Sequence, residues 1–223
     1  MCYLASIALP KFIKNQVFDH LLLFKVTRII TRNLDLIIDK NNFPPTGDDL
    51  FDIKIPHDIL SSNDIGKIKE FFQELKNNPK KYIESLNRAA LSSQRQRNIG
   101  IGIQGLADVY ILLGLAFDSL EAAKLNIEIF ETMYYASLFE SVQLARENGY
   151  HETYPGSPLS MGIYQFHYCG VKPSSRWDWD KLEQDRKIYG VRNSLLIAPM
   201  PTKTTSHILG NNEAFGRKLL YLI

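Results

Sequence analysis

The stretch Asn98-Ile99-Gly100-Ile101-Gly102-Ile103-Gln104-Gly105-Leu106-Ala107-Asp108 alternates isoleucine with glycine and then changes to a helical pattern. A β-branched residue at every second position suits a strand, and the glycines between leave room for other backbone to come close. The spacing predicts a short buried strand over Ile99–Ile103 and a helix over Leu106–Leu113. Gly100, Gly102 and Gly105 also satisfy the letter of G-x-G-x-x-G. That dinucleotide fingerprint needs an apolar strand before its first glycine, so that the turn delivers a pyrophosphate to the helix terminus. Here Ser92–Asn98 is wholly polar and the glycines lie inside the strand. Close packing is therefore preferred over nucleotide binding, and a nicotinamide-dependent dehydrogenase ranks low.

Working outward, Leu120–Asn148 reads as a long helix with Ile127, Phe130, Tyr134, Leu138, Val142 and Ala145 on one face, stopped by Gly149. Glu152–Val171 carries Gly, Pro and Ser punctuation and reads as a long ordered surface loop. Trp179–Tyr189 is a short helix ending at Gly190, Ser194–Ala198 a short apolar strand, and Thr202–Leu209 a short helix. Upstream, residues 17–40 form a helix with Leu22, Val26, Ile29, Ile30, Leu34, Ile37 and Ile38 inward and Lys25, Arg28, Arg32, Asp35 and Asp39 outward. It stops at Asn41–Pro45, where each residue before a proline is pushed out of the helical region. Residues 46–94 are polar, with helices predicted over Asp64–Lys76 and Lys80–Leu91. Leu4–Pro10 could be a buried strand or a helix start. Apolar strands separated by helices indicate an α/β architecture with parallel strands.

At 223 residues and 45% hydrophobic content, the chain can bury one large core or two small ones. Its longest apolar runs, such as Leu21–Phe24 and Ile111–Leu115, fall far short of the roughly 20 residues of a membrane span. No basic leader or cleavage pattern opens it, so a cytoplasmic location and no membrane association are expected. The net charge of +2 is spread along the chain rather than gathered into a stripe, which argues against a nucleic-acid partner. Two cysteines, Cys2 and Cys169, leave no pair for zinc, and both read by default as buried small hydrophobes. His20, His57, His151, His167 and His207 lack metal-ligand spacing and read as structural or surface groups.

Ile197-Ala198-Pro199-Met200-Pro201-Thr202-Lys203-Thr204-Thr205-Ser206 ends an apolar strand in a proline-stiffened turn and opens a helix with several hydroxyls and one lysine. Such a start is a good seat for a phosphate group, at the carboxyl end of a strand where α/β proteins place ligands. Simple helix capping by Thr202 or Thr204 accounts for the same residues equally well.

Cys2–Pro10, Thr31-Arg32-Asn33-Leu34, Ile99–Asp108, Phe130-Glu131-Thr132, Glu152-Thr153-Tyr154, Gly156-Ser157-Pro158, Trp177-Asp178-Trp179, Tyr189-Gly190 and Arg192–Thr202 occur together and in this order. In that combination the chain resembles the large subunit of class I ribonucleotide reductases of the eukaryotic and viral type. The resemblance implies the second half of a ten-stranded α/β barrel, incomplete in this chain, over 1–45 and 89–215. Residues 46–88 have no clear counterpart and read as a helical, surface-exposed insertion, and 216–223 as a divergent tail. The resemblance makes Cys2 a redox-active thiol, one of two that reduce the ribose, and seats the substrate diphosphate on Thr202, Lys203, Thr204 and Thr205. The implied reaction is radical reduction of a ribonucleoside diphosphate at its 2′ carbon.

Implied partners are the upstream half of the large subunit, a small radical-generating subunit holding a metal-radical cofactor, and thioredoxin or glutaredoxin as external reductant. Nucleoside triphosphate effectors would bind outside this chain, and no cofactor is expected within it. The pattern departs from the family at Tyr3, where asparagine is usual, and after Phe215, where a radical-relaying tyrosine pair is missing. The radical cysteine and the thiol partner of Cys2 are expected upstream of Met1. Alone, such a chain would expose strand edges and be inactive. The competing reading is a non-catalytic remnant that at most binds nucleotide diphosphate or reductase subunits.

Overall fold

The computed structural model describes residues 3–41, 65–77 and 79–216. Cys2, the undescribed parts of the 46–88 stretch and the tail beyond 216 lie outside them. Strand β1 (Tyr3–Ala8) is followed by a 3-10 turn (Leu9–Phe12), β2 (Ile13–Lys14), β3 (Val17–Phe18) and helix α1 (His20–Lys40). Then come α2 (Ile65–Asn77), α3 (Pro79–Gln96), β4 (Ile99–Gln104), α4 (Leu106–Leu112) and α5 (Leu120–Asn148). A 3-10 turn (Leu159–Met161), α6 (Gln165–Tyr168), α7 (Trp179–Tyr189) and α8 (Lys203–Leu209) complete the order.

β1 and β4 pair in parallel, from Tyr3 opposite Ile99 to Ala8 opposite Gln104. The open choice at Leu4–Pro10 is thus decided in favour of a strand. On the other side of β4 the 194–198 segment runs alongside with one parallel bridge, Ile101 to Ile197, instead of the strand expected there. The hydrogen bonds explain why. Ile99 N–H donates to Leu195 O (3.1 Å) and Ile101 N–H to Leu196 O (2.9 Å), so a two-residue step on β4 faces a one-residue step opposite. That mismatch is bulge-like and interrupts a regular ladder. Among the described residues these three segments do not close into a barrel.

The isoleucines of β4 and Ile7 of β1 are buried, with α1 packed on both strands and α5 packed on α1. Two helix readings shift. The 17–40 helix starts later, because Asp19 caps it by accepting from Leu22 N–H (2.8 Å), while Val17–Phe18 turns back on Ile13–Lys14 through Asn15 and Gln16, both at positive φ. Its buried face is Leu23, Thr27, Thr31, Leu34, Asp35 and Ile38, and Ile29 is 60% exposed. Leu34 and Ile38 are buried as expected, and Leu22, Val26 and Ile30 pack half-buried on the core. The other side of α1 also meets α5 through charge: Glu140, 3% exposed, accepts from Arg28 Nε and Arg32 Nε, both at 2.7 Å. Ile127 on α5 is likewise exposed, whereas Leu138, Val142 and Ala145 are buried as expected. The helix expected over Lys80–Leu91 continues to Gln96, and Arg97 at φ 49° turns the chain into β4.

Candidate functional site

Strand alternation places Leu4, Ser6 and Ala8 on one side of β1, opposite Gly100, Gly102 and Gln104 in register. The chain after 197 crosses this side. A Cβ on Gly100 would lie 2.6 Å from Leu4 Cδ2 and 2.9 Å from Ala198 Cβ, and one on Gly102 2.8 Å from Ala198 O. The glycines are therefore packing residues, as preferred from the sequence. They bring the 198–206 turn down onto the sheet.

Helix α8 begins there. Thr202 occupies its N-cap position but makes no side-chain cap. Its hydroxyl oxygen, in a residue only 3% exposed, accepts from Ala214 N–H (2.8 Å). The 211–214 turn that supplies this amide is held by Asp108, whose carboxylate accepts from Asn212 N–H and Asn212 Nδ2, both at 2.6 Å. Gly105 N–H donates to Asn212 O (2.9 Å), so the start of α4 grips the turn from both polarities. Lys203, Thr204 and Thr205 are exposed beside this anchored turn.

A polar line joins the sheet to the helix. Asn211 Nδ2 donates to Gln104 Oε1 (3.2 Å), and Gln104 Nε2 donates to Ser6 Oγ (2.9 Å). Ser6 Oγ lies 3.5 Å from Thr205 Oγ1, which donates to Thr202 O (3.1 Å). Of the residues singled out from the sequence, Thr202 is buried and committed, Lys203, Thr204 and Thr205 share one accessible turn, and Cys2 lies outside the described residues. Sequence reasoning missed Ser6, Gln104, Asp108, Asn211 and Asn212. Ser6 and Gln104 carried a signal, as lone polar residues within otherwise apolar strands.

At the opposite end of β4 from the site sits a buried polar knot. Arg97 donates from Nε to Asp35 (2.8 Å) and from Nη1 and Nη2 to Asp39 (2.7 and 3.0 Å). Asn193 Nδ2 donates to Asp35 Oδ1 (2.8 Å) and Arg97 O (3.1 Å), and its carbonyl oxygen accepts from Ser141 Oγ (2.8 Å). Burial opposes the Arg97 charge, but its bonds to Asp39 and Asp35 outweigh that and hold its pKa above the ordinary value. Burial, joined by the charge of Arg97, pushes Arg192 the other way. The knot ties α1, α5 and the start of β4 to the approach of the 194–198 segment. Asp35, assigned to solvent from the sequence, is 2% exposed because Arg97 and Asn193 satisfy it.

Three further groups stand apart from the knot. Arg186 holds Glu183 through two bonds of 2.8 Å and lowers its carboxyl to about 2, while Tyr164 also donates to Glu183. His151 is held neutral, its pKa pushed down to about 4 by burial and then by Arg192. Cys169 is an exposed free thiol, not the buried hydrophobe expected, because the residues after α6 run on the surface.

Parallel strands backed by helices, with an anchored polar turn at the carboxyl end of the strands, define an α/β protein. The family model described as ribonucleotide reductase, barrel domain, matches residues 1–216, and the chain belongs to that family. It is similar to the ribonucleoside-diphosphate reductase large subunit of Dictyostelium discoideum, 44% identical over 225 residues, covering 96% of this chain and 21% of that protein. The large chain from Neurospora crassa is 44% identical over 217 residues, covering 96% and 19%. The large subunit of Variola virus is 43% identical over 214 residues, covering 96% and 22%. The chain thus spans about a fifth of the length of the curated relatives it matches. Among the described residues no helix is long and apolar enough to cross a membrane.

Proposed function

We propose that this chain is part of the catalytic large subunit of a ribonucleoside-diphosphate reductase, supplying the second half of a ten-stranded α/β barrel. The carrying observation is the family match over residues 1–216, which takes in both Cys2 and the Thr202–Thr205 turn. In this reading Lys203, Thr204 and Thr205 receive the substrate diphosphate, charge and hydroxyls meeting phosphate oxygens, while Thr202 fixes the turn through Ala214. Cys2 is one of two thiols that reduce the ribose, its companion lying elsewhere in the large subunit. Their oxidation to a disulfide supplies two electrons; the 2′ C–O bond breaks, a 2′ C–H bond forms and water leaves. Radical initiation belongs to the small subunit with its metal-radical cofactor, re-reduction to thioredoxin or glutaredoxin, and nucleoside triphosphate control to regions outside this chain. The setting would be cytoplasmic.

The test combines the purified chain with the remaining segments of its large subunit, the small subunit and a dithiol reductant. Deoxyribonucleotide formation is expected only in the complete mixture. Cys2→Ser should abolish turnover while leaving diphosphate binding in place. Nucleotide binding without turnover in the complete mixture would instead support the remnant reading.

A further inference from the structure

The polar line from Asn211 to Thr205 has a fixed direction. Asn211 gives a proton to Gln104, whose amide can then give one to Ser6 only from its nitrogen end. Thr205 commits its own proton to Thr202 O, so the contact between the two hydroxyls is completed by the Ser6 proton pointing at Thr205 Oγ1. From Gln104 onward the donors therefore point from the sheet toward the accessible turn, while Asn211 fixes the amide of Gln104 from the other end. Gln104 is 1% exposed, which makes it a rigid end to the line, and Asn211 is itself tied by its N–H to Ser206 O (2.9 Å).

We propose that Ser6 and Gln104 are positioning residues for the 202–205 turn, acting on an incoming phosphate through Thr205; this rests on reading that turn as the diphosphate seat. When the Thr205 hydroxyl swings from Thr202 O to an anion, it still receives the Ser6 proton on its oxygen. A hydroxyl that accepts one hydrogen bond donates a second more strongly. Ser6 makes this link from β1, the strand whose sequence follows directly on Cys2. The effect falls on the phosphate end and is independent of the base.

Titration calorimetry of the full chain with inorganic pyrophosphate and with cytidine diphosphate tests this. Ser6→Ala should weaken both ligands equally, by about five-fold, the worth of one neutral hydrogen bond. Ser6→Thr, which keeps the donor, should restore affinity, and thermal melting of all three proteins should agree closely. Wild-type binding that Ser6→Ala leaves unchanged overturns the positioning role and spares the seat. Equal losses in Ser6→Ala and Ser6→Thr reduce Ser6 to packing and overturn it as well. If the wild-type chain binds neither probe, the seat falls and this inference with it.

Discussion

Arg97 brings a positive charge to a position where its side chain is 5% exposed, and Asp35 beside it is 3% exposed. Taking two charges out of water is costly, and only full hydrogen bonding makes the arrangement tolerable. That requirement is met here by Asn193, Asp39 and the Asp35 carbonyl oxygen. Removing one partner strands the other, so Arg97→Ala should destabilise the chain by about 3–5 kcal/mol in urea unfolding. Arg95 provides the control. It pairs with Glu152 at 2.9 Å, but the two side chains are 56% and 62% exposed, and such pairs contribute about 0–1 kcal/mol. Comparable losses from Arg97→Ala and Arg95→Ala would show that the knot is not what holds β4 to α1. No periodicity could reveal this pair. Charged residues on an amphipathic helix are assigned to water, and a partner 62 residues away leaves no local mark.

At the level of elements, the strand β4 works because its glycines admit the 198–206 turn. Gly102→Ala places a methyl 2.8 Å from Ala198 O, a backbone atom that can yield only by moving the turn. The expected cost is about 1–3 kcal/mol, as for other overpacked sites, together with loss of pyrophosphate binding. Gly114→Ala separates space from conformation, since nothing lies within 4 Å of that site and only its φ of +66° resists a side chain. Its cost should be about 1–2 kcal/mol, with ligand binding unchanged. A Gly102→Ala chain that melts and binds like wild type would mean that the turn does not depend on this contact. These two positions also mark what the sequence made legible. Alternation and glycine spacing located β4, α7 appeared at its full extent, and α5 was bounded by its own Gly149 stop. The burial of Asp35 and exposure of Ile29 on α1, the β2–β3 hairpin and the bulge opposite Ile101 were not legible, because each is set by a partner in space rather than by neighbours in the chain. The site divides the same way: the threonines and lysine of the turn stand in one segment, whereas Ser6, Gln104 and Asp108 acquire their roles only when three elements meet.

At the scale of the whole molecule, the sheet of the described residues is small. Among the described residues β1 pairs with β4 alone, and the main-chain bonds of 194–198 reach back to Gln96 and β4. Leu195, on that segment, is 62% exposed, and Ile127 on α5 is 60% exposed. Unpaired strand edges beside exposed apolar side chains are templates for association. The purified chain should therefore sediment as concentration-dependent oligomers. A lysine on the edge opposes that association through charge repulsion and a hydrated side chain, so Leu195→Lys should shift the distribution toward monomer. Because Leu195 is already mostly in water, the same substitution should leave the melting temperature nearly unchanged. Oligomers that persist in Leu195→Lys would move the sticking surface elsewhere, and a wild-type chain that stays monomeric at high concentration would show that these edges do not drive association. The outcome bears on the proposed function, since the surface that makes the chain stick to itself is also the one on which the remaining segments of a barrel would have to add.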